Sequence, residues 1–387
     1  MTSRGPLDGV RIVEIASIGP GPFAAMMLAD MGATVLRVDR PGGVGTVPPR
    51  YDVTRRGRPS IAVDLRHGDA RGFILDLVER ADALVEGFRP GVMERLGLGP
   101  VDVHERNPRV VYGRVTGYGQ DGPLAAVAGH DINYLAAAGV LGALARDGER
   151  PLAPLNLVGD YGGGAMYLAF GVVCGLHEAA RSGRGQVVDA AMVDGVASLT
   201  AIFHGMRAEG RWADQPGTNM LDSGAHFYDV YVTADGGHVA LGAIEPQFYS
   251  RLLELLELDP EAVPQWERDR WPELREVIAL AVARRSADEW AAILDGEEAC
   301  ATVVRGLGEA PDHPHLRARG TFVELDGVVQ PQAAPRFDRT PGGARPTDPD
   351  TDAALEAWGV GADARRALRR DRVLRDAAGE PDRGASR

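Results

Sequence analysis

Lysine is absent: all 42 basic side chains among the 387 residues are arginine. An arginine-biased composition accounts for the pattern, but the exclusion it gives is firm. Without lysine there is no Schiff-base nucleophile, no pyridoxal phosphate anchor and no phosphate-loop lysine, so histidine and the carboxylates must carry any proton chemistry. Cysteine is nearly absent too. Cys174 and Cys300 are too few and too far apart for a disulfide framework or a thiolate metal site, and they suit a reducing compartment. Positive charge is in deficit, with 42 basic against 55 acidic residues and a net charge of −13. That disfavours nucleic acid as a partner, since binding it needs a basic surface. No apolar run is expected to approach the roughly 20 residues that span a bilayer. Met1-Thr2-Ser3-Arg4 leads into Gly5-Pro6-Leu7 and not into a signal-peptide core. These absences point to a cytoplasmic protein without a membrane segment.

What is present is the composition of a folded enzyme, 44% hydrophobic and 25% charged, in a chain long enough for one large or two linked domains. Val10–Ile15 reads as a strand, Gly19-Pro20-Gly21-Pro22 as a breaker, and Phe23–Met31 as a helix closed by Gly32. Strands follow at Thr34–Asp39, Ile61–Asp64, Ala83–Glu86 and Val110–Thr116, with a helix near 69–81. This alternation predicts a large α/β domain, a doubly wound, mostly parallel, Rossmann-like sheet. Residues 129–145 and 162–181 read as apolar, alanine-rich helices interrupted by glycine, and 196–222 as a connector that holds a helical stretch and then a polar, glycine-rich passage. A hairpin with its turn at Asp235-Gly236 and amphipathic helices near 246–257, 272–284 and 286–294 predict a smaller α+β domain. The expected organisation is 1–195 as the large domain, 196–225 as linker, 226–330 as the small domain, 331–360 as a segment returning to the large one, and 361–387 as a partly disordered Arg/Ala-rich tail.

Three segments place an ionisable group beside glycine or at a strand end: Gly129-His130-Asp131, Gly159-Asp160-Tyr161-Gly162-Gly163-Gly164 and Gly242-Ala243-Ile244-Glu245. Asp160 precedes a glycine run and an apolar stretch, where backbone N–H groups can receive an anion or an enolate oxygen. Taken alone, the local pattern favours a helix N-cap for Asp160 and a cap or buried donor for His130. Cys174, His177 and His204 read as core or surface, and His313-Pro314-His315 lacks further ligands, so no metal site is expected.

Ordered motifs change the weighting. Leu7–Glu14, Ala29-Asp30-Met31-Gly32-Ala33, Arg37–Pro41, Arg56–Ser60, Ala81–Gly91, Arg95–Gly99 and Thr116–Pro123 together resemble family III CoA transferases over the chain to about residue 345. Gly129–Tyr134 and Ala243–Tyr249 resemble the α-methylacyl-CoA racemase branch, whereas the transferases share the Asp160 position and generally lack the histidine. The resemblance implies epimerisation of 2-methylacyl-CoA thioesters by proton transfer through an enolate, with His130 and Asp160 as the acid–base pair. Glu245 would orient and strengthen His130, Asp131 would be a further supporting carboxylate, and Tyr161, Gly162 and Gly163 would offer the oxyanion donors. Arg40, Arg56, Arg58 and Arg89 would bind the CoA phosphates. No cofactor is required, because CoA is part of the substrate. The family's interlocked homodimer implies that Glu245 comes from the neighbouring chain.

Two alternatives remain open in the sequence. One is a transferase using Asp160 as nucleophile through acyl-aspartyl and aspartyl-CoA intermediates, and the other is a non-catalytic acyl-CoA-binding protein. A nicotinamide oxidoreductase is disfavoured because Gly19-Pro20-Gly21-Pro22 lacks the third glycine of the dinucleotide fingerprint.

Overall fold

The computed structural model describes residues 5–43, 47–347 and 350–375. Along the chain run β1 (Arg11–Ile15), α1 (Pro20–Asp30), β2 (Thr34–Asp39), β3 (Ser60–Val63), α2 (Ala70–Val78), β4 (Ala83–Glu86), α3 (Val92–Arg95), α4 (Pro100–Arg106), β5 (Val111–Thr116), α5 (Asp131–Ala137) and α6 (Val140–Ala143). A π-helical segment, Leu157–Ala165, continues directly into α7 (Met166–Ser182), followed by β6 (Val187–Ala191), α8 (Met192–Leu199) and α9 (Ala201–Ala208). Then come β7 (Val230–Val232), β8 (His238–Leu241), α10 (Pro246–Leu255), α11 (Trp271–Val282), α12 (Ala287–Leu294) and β9 (Ala301–Val303). The described chain ends with α13 (Pro314–Ala318), β10 (Phe322–Leu325), β11 (Val328–Pro331), α14 (Thr351–Ala357), α15 (Ala362–Arg370) and β12 (Leu374–Arg375). Contacts divide it into two units, one of residues 1–138, 154–199 and 314–387, the other of 139–153 and 200–313.

The first unit carries a sheet in the order β12-β3-β2-β1-β4-β5-β6, parallel throughout except for β12, which runs antiparallel to β3. Its central strands have helices on both faces, so Ile12, Val13, Leu36, Leu84 and Val111 are buried regardless of which face they point to. Two apolar layers result, one holding Val13, Leu36, Ile74 and Tyr112, the other Ile12, Val35, Leu168 and Val172. Strand order reverses between β1 and β4, the position where open α/β sheets bind their ligands.

Local chemistry explains the breaks. α1 starts because Gly19 takes φ 75° and Pro20 fills the first helical position. The glycine interruption expected within 129–145 falls at Gly139, which adopts φ 81° between α5 and α6. The helical stretch expected at the start of the connector 196–222 is the end of α8 and all of α9. The continuous helix Leu157–Ser182 is long and apolar enough, by length and composition, to cross a membrane. That corrects the expectation that no run comes near such a length. It nevertheless carries Asp160, His177, Glu178 and Arg181, and it buries Leu168, Ala169, Val172 and Ala179 in the core of this unit.

Within the stretch expected as a tail, 361–375 forms α15 and the edge strand β12, with Val373 and Leu374 buried. Two apolar residues among arginines give no periodic signal. Residues 376–387 lie outside the described residues.

The second unit has an antiparallel sheet, β7-β8-β9, in which Val232 pairs with His238 across the Asp235-Gly236 turn. Its own core holds Phe227, Tyr249, Trp271, Ile278 and Trp290.

Candidate active site

A cleft of about 480 Å³ opens in the first unit at the C-terminal ends of β1, β2, β4 and β5, where the strand order reverses. Ser17, Gly19, Arg40, Arg89, Tyr134, His130 and Asp160 are among its lining residues. The doubly wound topology thus brings His130 and Asp160, well separated in sequence, to one cavity.

Asp160 does not cap a helix. It lies inside the π-helical segment, half-buried, where Asn156 Nδ2 donates to its Oδ2 at 3.2 Å. Burial pushes its carboxyl above the ordinary range, and the Asp131 carboxylate adds to the rise, while the Asn156 hydrogen bond and His130 oppose it. A carboxyl raised in this way is suited to hold a proton for delivery. Gly19 borders it closely, for a Cβ there would sit 2.8 Å from Asp160 Oδ2. Close approach and positive φ together require glycine at this turn. Neither Asn156 nor Gly19 is among the residues expected from sequence. The i, i+4 spacing of Asn156 and Asp160 is the signal for that pair, while Gly19 reads only as a piece of the breaker.

His130 is the N-cap residue of α5, in extended conformation at φ −129° and ψ 174°. Its backbone N–H donates to Asn133 Oδ1 at 3.0 Å, and its carbonyl accepts from the Asn133 N–H at 2.8 Å. The side chain is exposed to the cleft. Asp131, only 7% exposed, accepts the Asp160 backbone N–H on Oδ1 at 2.6 Å, tying α5 to the π-helical segment. Its Oδ2 has no hydrogen-bond partner among the described residues. Asp131 therefore holds the Asp160 backbone in place.

The glycine run plays a different role from the one expected. The helix starts at Leu157, so the N–H groups of Tyr161, Gly162 and Gly163 lie within it, and that of Tyr161 already bonds Asn156 O at 3.3 Å. They are not the free donors of a helix N-terminus. A Cβ on Gly163 would meet Val196 at 2.7 Å, which makes this glycine a packing residue against α8. The Tyr161 ring stacks on Phe23 at 4.3 Å.

The four arginines also separate. Arg40 and Arg89 line the cleft. Arg56 is buried, paired with Asp30 at 2.6 Å and donating to Gln330 Oε1 and Pro331 O. Arg58 is fully buried against Glu14 and Thr54 O, and Glu14 also holds Arg37 at 2.6 Å. Arg56 and Arg58 are thereby corrected from CoA ligands to members of buried charge networks. Losing one partner of such a pair costs about 3–5 kcal/mol. Sequence shows charge but not burial, so the two kinds of arginine look alike there.

Glu245 belongs to the second unit, exposed as the N-cap residue of α10 with Pro246 at the first helical position. Among the described residues no three His, Cys, Asp or Glu side chains gather as a metal cluster.

A family model, that of CoA-transferase family III, matches residues 7–354. The chain belongs to CoA-transferase family III. Among its family relatives, the human α-methylacyl-CoA racemase is 42% identical over 379 residues, covering 95% of this chain and 97% of that protein. The mouse α-methylacyl-CoA racemase is 46% identical over 338 residues, 87% of each chain. In structure, the family fold matches Rv3272 from Mycobacterium tuberculosis with a TM-score of 0.74 at 28% identity, over 92% of this chain and 99% of that one.

Proposed function

We propose that this family III protein is an α-methylacyl-CoA racemase that epimerises 2-methylacyl-CoA thioesters by moving a proton between the two faces of C2. The observation that carries the reading is the pairing in one cleft of His130 with a carboxyl, Asp160, whose burial favours its protonated form. Two acid–base groups are the minimum for inversion at a carbon acid. The His130 imidazole takes the α-proton of one epimer, the C–H electron pair moves onto the thioester carbonyl as an enolate, and Asp160 returns its own proton to the other face. For the opposite epimer the two groups exchange roles. The racemase names of the human and mouse relatives agree with this chemistry.

The reading extends to the substrate's carrier and to assembly. Arg40 and Arg89 supply local positive charge for the CoA phosphates on a chain of net charge −13. No separate cofactor is involved. The protein acts as an interlocked homodimer, in which Glu245 of one chain orients His130 of the other. An exposed apolar stripe on α7, Met166, Phe170 and Val173 at i, i+4, i+7 spacing, supports a partner surface on this helix. A cytoplasmic location accords with two unpaired thiols, Cys174 and Cys300.

Incubation with a single 2-methylacyl-CoA epimer in deuterated water tests the proposal. Deuterium should enter C2 and the epimers should equilibrate with no acceptor acid present. Thioester exchange that occurs only after a free carboxylic acid is added would identify a transferase instead, with Asp160 as nucleophile. Binding without either reaction would leave an acyl-CoA-binding protein.

A further inference from the structure

The first turn of α5 grips one peptide group from both ends. Tyr134, only 6% exposed, donates its hydroxyl to Gly129 O at 2.5 Å. Asn133 Oδ1 accepts the His130 N–H at 3.0 Å. The Gly129 carbonyl and the His130 N–H are the two polar groups of a single planar peptide, the one that leads into the cleft histidine. Fixing both removes the rotation that would swing the His130 Cα, and with it the imidazole, along the cleft wall.

The surroundings are shaped around that tyrosine. A Cβ on Gly117 would strike the Tyr134 ring, and one on Gly129 would lie 2.7 Å from it. Tyr118 meets the ring edge-on, with centroids 5.0 Å apart and planes at 85°. Two glycines and an aromatic neighbour thus hold the ring, while a phenylalanine would satisfy the same packing. Only the hydroxyl reaches Gly129. Burial, with Tyr118 and Asp160 adding to it, pushes the phenol up to about 12, so the O–H remains a donor wherever a histidine–carboxyl pair works.

We propose that the Tyr134 hydroxyl is the positioning group of His130, acting with Asn133 to hold the Gly129–His130 peptide and so to aim the imidazole at C2 of the substrate. This rests on the reading of His130 as one of the two acid–base groups. It differs from a general stabilising role because it acts on one face of the substrate only. A misplacement of about 1 Å at a reacting group can cost on the order of a hundredfold in rate.

The test uses the full-length protein and the two epimers of one 2-methylacyl-CoA, each followed separately for deuterium exchange at C2. His130→Ala first identifies the epimer whose exchange depends on the imidazole. Tyr134→Phe should slow exchange of that epimer about ten- to a hundredfold, with KM and exchange of the other epimer changed less than about twofold. Equal slowing of both epimers, or no slowing of either, overturns the proposal. Should Tyr134→Phe fail to fold, Asn133→Ala at an exposed position removes the other half of the grip, and the same one-sided loss is required of it. A crystal structure of the variant that folds gives a readout independent of turnover: a displaced or divided His130 ring supports the proposal, and an unmoved ring refutes it. Absence of exchange by the wild-type protein on either epimer would instead overturn the assigned reaction, and the crystallographic arm would still decide the role of Tyr134.

Discussion

At the residue scale the decisive feature is a carboxyl held where it is less stable ionised. Burial raises Asp160, Asp131 raises it further, and only Asn156 and His130 pull the other way. A folded-state value above the unfolded one means that the native chain binds this proton more tightly. The stability this gives is complete below the unfolded value of about 4 and is lost as pH rises through the raised folded value. Asp160→Asn removes an ionisation that costs stability at neutral pH while abolishing the proposed proton delivery. The variant should lose C2 deuterium exchange of the epimer that Asp160 deprotonates, and with it epimerisation, and yet melt at a higher temperature than wild type at pH 7, with the difference closing near pH 4. Thermal scans at the two pH values check this, and an Asp160→Asn protein less stable at pH 7 would contradict the burial argument. The same residue shows what sequence can and cannot convey. His130 and Asp160 are legible through their motifs, but Asp160 looks like a helix cap because nothing in Gly159-Asp160-Tyr161 reveals that the helix has already begun at Leu157.

At the scale of elements, the π-helical segment is placed by glycines that allow backbones to touch. Gly163 and Gly195 face one another between this segment and α8, and a Cβ on Gly195 would run into the Gly163 carbonyl. Backbone cannot step aside as a side-chain tip can, so Gly195→Ala must push α8 away from the segment that holds Asp160. A loss of about 1–3 kcal/mol in chemical denaturation is expected. Gly205→Ala is the matched contrast: it lies exposed within α9 with nothing near its Cβ position, and should be neutral or gain about 0.5–1 kcal/mol. Equal effects of the two substitutions would show that helix propensity, not contact, governs both. Strands and most helices are legible because their apolar periodicity or continuity survives in one dimension. The glycine run looks like a donor site in sequence because its purpose, contact with α8 further along the chain, exists only in the fold. Arg56 and Arg58 look like ligand arginines for the same reason, since Asp30 and Glu14 reach them only once β1, α1 and the loop before β3 are assembled.

At the scale of the whole molecule, a net charge of −13 sets the exposed apolar stripe of α7 in contrast with the rest of the surface. Phe170 is 70% exposed, and a ring left in water forgoes roughly 1.5–3 kcal/mol that burial would recover. Three such residues on one helix face, on the same helix that carries Asp160 at its start, tie the proposed assembly to the candidate site. A partner on this face would hold the helix, and its loss would be felt at the cleft as well as at the interface. Phe170→Asp puts a charge at the most exposed point of the stripe without touching the core of the first unit. Sedimentation should show a wild-type dimer and a monomeric Phe170→Asp protein at micromolar concentration, with unchanged far-UV circular dichroism. If Glu245 is supplied in trans, C2 exchange should fall in step with the dimer fraction and recover as the protein concentration rises. A monomeric variant retaining full exchange would separate assembly from catalysis, and a wild-type monomer would refute the dimer itself.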